Sequence, residues 1–287
     1  MANMRALRTR IKSLESTQQV TKSMKMVSAA KLRRTQNLYG KLNAFAEKSD
    51  EILRNVACDE GARTHPFLVP RAVQKCVCYV LFVGSRGLCG TYNQAALRFL
   101  TELAAQDSRE SFLVACGHWG REAILKTGIR VEHWFDQLGD APDAEMARNV
   151  SGYLKELYLN GKTDEIVMIY QHYHSVLLQT PVKKKLLPIE LEHKEKSEIE
   201  YLFEPDRESV VNRLVHLYID NTVYAILLEA KTSEHAARMT AMTSASDNAD
   251  ELITELRLKL NHARQAAITT EIAEISGGAA VLEQDED

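Results

Sequence analysis

The sequence predicts an α/β fold with long helices: an antiparallel coiled coil of the N- and C-terminal helices, joined to a Rossmann-like α/β domain. Three observations carry that expectation. Both ends of the chain are nearly free of proline and glycine and repeat apolar residues at helical spacing. The middle alternates short apolar runs with amphipathic stretches, the pattern of strands and crossover helices. The 287 residues include only 13 glycines, 6 prolines and 7% aromatics, too few breakers and rings for an all-β protein.

Residues 1–57 read as one coiled-coil helix. No proline occurs there, and Gly40 is the only glycine. Met4, Leu7, Ile11 and Leu14 follow 3-4 steps, and the stripe resumes at Val20, Met24 and Val27, then at Leu38, Leu42, Phe45, Ile52 and Val56. The steps from Leu14 to Val20 and from Val27 to Leu38 are not heptad steps, so the periodicity predicts local unwinding there. At about 1.5 Å per residue the helix spans roughly 80 Å. Residues 58–74, with Gly61, Pro66 and Pro70, read as a linker.

Residues 75–203 read as the Rossmann-like domain. KCVCYVLFV is a buried strand, Tyr92 to Ala105 a helix, SFLVAC a strand and His118 to Lys126 a helix. Val131 to Phe135 is a short strand and Pro142 to Leu159 a helix with proline near its first turn. EIVMIYQHYH and TPVKKKLLPIEL complete the strands, and the alternation predicts parallel pairing. Lys183, Lys184 and Lys185 suit an exposed edge strand, where lysine blocks further pairing.

Residues 204–287 read as the C-terminal coiled-coil helix. No proline follows Pro205, and no glycine appears before Gly277. Met242, Ala249, Leu256 and Ala263 recur every seven residues, with Ser246, Ile253, Leu260 and Ala267 four residues after each. The helix would span roughly 100–110 Å. Helices this long depend on packing. The two end helices can bury their stripes on each other, antiparallel, with the α/β domain docked on one side. Their free end then stands in solvent or inside a partner.

Apolar residues at 45% and charged residues at 26% describe a globular chain rather than a disordered one. No apolar run reaches the roughly 18 residues of a transmembrane segment. Met1 to Arg10 is basic but leads into no apolar stretch, so it does not read as a secretory signal. Five cysteines, Cys58, Cys76, Cys78, Cys89 and Cys116, form no disulfide framework and favour a reducing compartment. Cys76 and Cys78 share a strand face, as do His172 and His174, but CxC lacks structural-zinc spacing; buried thiols and ordinary strand histidines are the simpler reading, and no metal is expected.

The net charge of −3 is bland, but its distribution is not. Residues 1–40 carry nine bases (Arg5, Arg8, Arg10, Lys12, Lys22, Lys25, Lys31, Arg33, Arg34) and one acid, Glu15. The last 17 residues carry six acids and no base. Both arrangements oppose the helix macrodipole, which suggests that something outside the helices uses the charge.

Chemistry is sparse. Gly84-Ser-Arg-Gly87-Leu-Cys-Gly90 follows a strand and precedes a helix, where a dinucleotide fingerprint would lie. Its G-x-x-G-x-x-G spacing is wrong, the P-loop Lys and Ser/Thr are absent, and SFLVAC does not end in an acid to hold a ribose. A tight strand-to-helix turn is the plainer reading. No G-x-S-x-G or H-E-x-x-H occurs. No catalytic residue or cofactor is therefore expected. The informative signals lie at the ends: TKSMKMVSAAKLRRTQ sets bases around a Met/Ala/Val stripe, and ARMTAMTSASDNADELI packs small, polar and Met residues on one helix.

These segments carry a resemblance. RTRIKSLESTQQVTKSMKMVSAAKLRR, GLCGTYN, YLFEP, TSEHAARMTAMTSASDNADELI and LNHARQAAITTEIAEISGGAAVL are similar to the γ subunit of F-type ATP synthases, bacterial in character. The resemblance spans the chain. It departs at GSRGLCG, where the family usually has Ser-Asp-Arg or Ser-Asp-Lys before Gly-Leu-Cys-Gly; here Ser85 stands at the acid position. The acidic tail runs past the usual end, and no chloroplast-type insertion with paired cysteines occurs.

The resemblance implies a non-catalytic rotor shaft inside a ring of three α and three β subunits, turned by ion flow through a membrane c-ring, with ATP chemistry in the β subunits. It implies contacts to that ring from Met24, Lys25, Arg264, Gln265, Thr269 and Glu271, and a bearing tip at Ala279, Val281 and Leu282. Tyr201, Phe203 and Glu204 would lie toward the c-ring and the ε subunit. It further implies a peripheral protein on the cytoplasmic face of a bacterial cell membrane. A nucleic-acid binder lacks stacking aromatics and a recognisable module. An α/β enzyme dimerising through its long helices is the alternative, but its strand-end loops are poor in catalytic candidates.

Overall fold

A computed structural model describes residues 2–57, 65–190, 203–204 and 206–284, and within them the side chains of all but residues 2, 3, 43, 47 and 277–284. The order is α1 (Ala2–Ala57), β1 (Cys76–Phe82), α2 (Tyr92–Gln106), β2 (Glu110–Cys116), α3 (Arg121–Leu125), β3 (Arg130–Phe135), α4 (Ala144–Leu159), β4 (Glu165–Tyr173), β5 (Gln179–Leu187) and α5 (Arg207–Gln284). They fall into two compact units: Met1–Met26 with Ala241–Asp287, and Val27–Thr240.

The larger unit is built on a five-stranded sheet in the order β3-β2-β1-β4-β5. The alternation predicted parallel pairing, and β1, β2, β3 and β4 are parallel. The last pair is the exception: β5 returns antiparallel to β4, because only a short turn joins them and a hairpin cannot make a parallel pair. β5 is an edge strand with Lys183 and Lys184 exposed. The side-chain alternation of a strand splits the core of this unit in two. Val77, Tyr79, Leu81 and Val83 face one cluster with Ala96 and Leu100 of α2 and Ile124 of α3. Cys78, Val80 and Phe82 face the other, with α4 (Val150, Leu154) and α5 (Val215, Ile219, Val223, Ile226).

Two local expectations are corrected. The helix expected from Pro142 starts at Ala144; Asp143 is its N-cap, accepting the Met146 N–H at 2.9 Å, and Pro142 stands before the cap. α3 is one short turn pair, Arg121–Leu125, because Gly120 and Gly128 adopt left-handed backbone on either side.

The predicted phase shifts in α1 do not occur. Val20, Val27 and Phe45 are 57%, 53% and 52% exposed. Buried positions instead keep one heptad register: Thr21, Ser28, Thr35, Ser49 and Val56, with Ile11, Leu32 and Leu53 on the companion row. Small hydroxyl residues take apolar positions, and several return their O–H to their own helix: Thr21 to Gln18 O, Thr35 to Leu32 O and Ser49 to Phe45 O, at 2.9–3.1 Å.

The smaller unit is an antiparallel pair. Gln18 donates to Asp250 at 2.9 Å, and Arg257 meets Glu15 at 2.6 Å. Ile11 packs with Ile253 and Leu256, flanked by Leu7, Leu14 and Leu260. Burial along the α5 seam falls off toward the end: Met242, Ala249, Ser246 and Ile253 are buried, Leu260, Ala263 and Ala267 half-buried, and residues 268–276 exposed.

Candidate functional site

In an open sheet of this order, ligands bind outside the strand C-termini, at the point where strand order reverses. Here that point lies between β1 and β4, flanked by the Gly-rich loop, residues 84–90. α5 occupies it. Every residue from Ile226 to Ala236 is buried, a helix enclosed on all sides over about three turns. Such burial usually goes with an apolar sequence. This stretch instead contains Glu229, Lys231, Glu234 and His235.

Each of these groups has a partner. The Lys231 ammonium donates to Ser85 Oγ at 2.7 Å and to Glu234 Oε2 at 2.9 Å. Arg238 donates to Glu234 Oε1 at 2.6 Å and reaches the carbonyls of Arg86 and Gly87 at 3.1 and 3.4 Å. Burial pushes the Glu234 carboxyl up, but Lys231 and Arg238 outweigh it and hold the group below the usual carboxylate range. Ser85 in turn donates its O–H to Leu138 O at 3.1 Å. A Cβ on Gly84 would lie 3.1 Å from the Glu234 carboxyl, so glycine at 84 leaves room for that carboxylate.

On the other side Ser233 donates to Gln171 O at 2.8 Å, and Glu229 accepts from Tyr173 N and pairs with His172. Tyr92 donates to Ala230 O at 2.9 Å. His235 Nε2 donates to Asp140 O at 3.0 Å, and burial lowers its pKa, which keeps the ring neutral. The space left beside Phe82, Tyr92, Lys231 and Glu234 is about 10 Å³, room for about one water against roughly 300–1,000 Å³ in a ligand pocket. The Gly-rich loop therefore grips a helix where a dinucleotide fold would grip a phosphate.

The other candidate chemistry does not assemble. Cys78 pairs with Ile166, so His172 stands about 20 Å further along β4, and no metal-holding cluster of His, Cys, Asp or Glu occurs among the described residues. His172 and His174 engage Glu229 and Thr180 instead. Cys58 lies outside the described residues. Burial raises the Cys78, Cys89 and Cys116 thiols, which is the state of inert packing thiols.

The expected partner contacts lie on the smaller unit. Met24 and Lys25 are half-buried on α1; Arg264, Gln265, Thr269 and Glu271 are exposed on α5. Beyond them Ile268, Ile272 and Ile275 form an i, i+4, i+7 stripe, 47%, 59% and 73% exposed. Ala279, Val281 and Leu282 continue the helix, but their side chains lie outside the described residues, as does all of Tyr201. Phe203 packs half-buried against the core with the Arg207 guanidinium 5.3 Å from its ring centre; Glu204 is exposed. Sequence reasoning singled out Ser85 but missed its partners. The signal was there: Lys231, Glu234 and Arg238 alternate in sign at i, i+3 and i+7, one helix face.

A family model described as ATP synthase matches residues 3–282. The ATP synthase gamma chain of Desulforamulus reducens is 44% identical over 285 residues, 99% of this chain and 100% of that one. That of Staphylococcus aureus is 36% identical, again over 99% and 100%. Among solved structures, the chain resembles one in the Euglena gracilis mitochondrial ATP synthase OSCP/F1/c-ring assembly, with a TM-score of 0.69 at 19% identity, covering 100% of this chain and 96% of that one. A second match, in the rotor of the same enzyme, has a TM-score of 0.64 at 19% identity over 93% and 99%. The family model and these relatives, matched along almost the whole chain, agree: the chain belongs to the ATP synthase gamma-chain family.

Proposed function

We infer that this chain is the rotating central shaft of an F-type ATP synthase, coupling ion flow through a membrane c-ring to the conformational cycle of three catalytic β subunits that alternate with three α subunits. The match to gamma chains over 99% of this chain carries the reading. The geometry fits it: the crevice is closed to substrate, and the end of α5 presents an apolar stripe with no covering element among the described residues. ATP chemistry belongs to the β subunits, and this chain changes which β conformation is favoured at each angle. A rotor acts only through contacts that differ between those states. Arg264, Gln265, Thr269 and Glu271, with Met24 and Lys25 on α1, are the residues placed to make such contacts; Ala279, Val281 and Leu282 would form the bearing. Phe203 and Glu204, with Tyr201, would lie toward the ε subunit and the c-ring. The assembly would sit on the cytoplasmic face of a bacterial membrane, with this chain peripheral to it.

The test is reconstitution with the α and β subunits of the same organism. One copy of this chain in a single complex, with stimulated ATP hydrolysis, is the expected result. Arg264→Glu should then lower turnover about tenfold or more, as loss of a charge-assisted contact does. A discrete homodimer that ignores α and β would overturn the reading in favour of an α/β enzyme joined through its long helices.

A further inference from the structure

We propose that the bonded stretch of α5 between Glu229 and Thr240 is a rotational lock, and that the buried Lys231–Glu234–Arg238 triplet is its key. The lock fixes the angle of α5 about its own axis within the α/β body. The inference rests on the rotor reading and adds to it the place where torque passes between the long helix and the body.

The polar side chains of this stretch leave α5 in two opposite directions. At about 100° per residue, Lys231, His235 and Arg238 project within about 60° of one another, and Glu229, Ser233 and Thr240 within about 40° on the opposite side. Their partners follow this division. The first set bonds Ser85, the carbonyls of Arg86 and Gly87, and Asp140 O. The second bonds the end of β4 and the turn after it: Tyr173 N, Gln171 O and Val176 O. Directional bonds on opposite sides of one cylinder form a couple that resists twisting. Apolar contact alone is non-directional and lets a helix slip about its axis.

The energetics point the same way. A buried ion group adds little stability over well-packed apolar residues of the same volume, and its best-attested use is registry. Lys231 and Glu234 have side chains only 4% and 3% exposed, and Arg238 9%. Apolar side chains could have filled that volume. What they could not do is address two loop carbonyls and a serine hydroxyl at fixed angles.

The experiment measures torsional stiffness in the complex with α and β subunits. A bead is tethered through Lys183→Cys on the exposed edge strand, the ring is arrested by bound nucleotide, and the thermal spread of bead angle is recorded. The volume-matched triple variant Lys231→Met, Glu234→Leu, Arg238→Met is compared with the parent. At fixed temperature variance is inverse to stiffness, so a variance about twice the parent's, with the melting temperature retained, is expected. If the triple variant does not assemble, Arg238→Lys is read the same way; it keeps the charge but loses the fork that spans Glu234 and the loop carbonyls. A variance equal to the parent's in any variant that assembles overturns the lock. A parent chain that forms no rotating complex fails the rotor reading itself and takes the lock with it. A rotating parent with unmoved variants sinks the lock alone.

Discussion

His235 shows how one side chain reports on the enclosure of α5. Its Nε2 donates to Asp140 O, its Nδ1 is buried without a partner, and burial lowers its pKa below 6.5. The unfolded chain therefore takes up a proton near pH 6.5 that the folded chain refuses. The stabilising contribution is complete above about pH 6.5 and shrinks as the pH falls below it. His216, also lowered first by burial, adds a term of the same sign. Glu234 has a depressed carboxyl, so its contribution is lost only at more acidic pH, below the ordinary carboxylate range. Between about pH 7.5 and 5.5, then, His235→Gln should lose less melting temperature than the parent, as followed by circular dichroism. Equal slopes would mean that the ring is solvated. Gly117 is fixed by backbone and space together. Its φ is +124°, and a Cβ there would lie 2.2 Å from Val83 O, next to the point where Val83 N donates to Cys116 O and ties the end of β1 to that of β2. Gly117→Ala should cost about 3 kcal/mol or more in denaturant unfolding, since both the backbone and the space are wrong for it.

Among the elements, α1 marks the boundary of what hydrophobic spacing can reveal. The existence and order of the helices and strands were legible, because breakers are rare and the strand runs are strongly apolar; the ends of α3 and α4 were not, being set by Gly120, Gly128 and the Asp143 cap. The register of α1 was not. Apolar residues such as Val20 and Val27 drew the eye, while the buried row ran through Thr21, Ser28 and Thr35. A hydroxyl that bonds back to its own helix presents only methyl and methylene groups, so it seats a close helix contact as well as a small hydrophobe does. A scale that scores serine as polar misses this. Ser28→Leu makes the heptad more apolar on paper. It should nevertheless lower stability by about 1–3 kcal/mol in thermal or urea melts, because the site is 3% exposed and has no room for three more carbons. The antiparallel β5 was hidden for a different reason: turn length decides pairing direction, and the strand pattern itself reads the same either way.

Across the whole chain the family was legible from the terminal segments, while the filled crevice was not. A Gly-rich loop after the first strand looks alike whether it receives a phosphate or a helix from the far end of the sequence. Only the alternating charges of Lys231, Glu234 and Arg238, more than 140 residues beyond Ser85, hinted at its occupant. The exposed end of α5 is open to proteolysis. In the free chain a Glu-specific protease should cut first after Glu271 or Glu274, where residues 268–276 are exposed, and assembly with α and β subunits should protect both sites. Cleavage at an equal rate in the complex would place that end outside the ring.

The occupied crevice also means that the α/β body cannot be completed until α5 has been made. Cys78, Val80 and Phe82 on one sheet face are covered by Val215, Ile219, Val223 and Ile226 of α5, which leave the ribosome after all five strands. At about 5–20 residues per second, the part of that face that α4 does not cover, and the switch point, stay open for several seconds after β5 emerges. A nascent chain stopped before α5 would expose the apolar part of the sheet face that Val215, Ile219, Val223 and Ile226 cover, and the loop carbonyls that Arg238 meets. Such a surface would be prone to aggregate until it is covered, and protection would come with the emergence of Thr240 rather than with completion of the sheet.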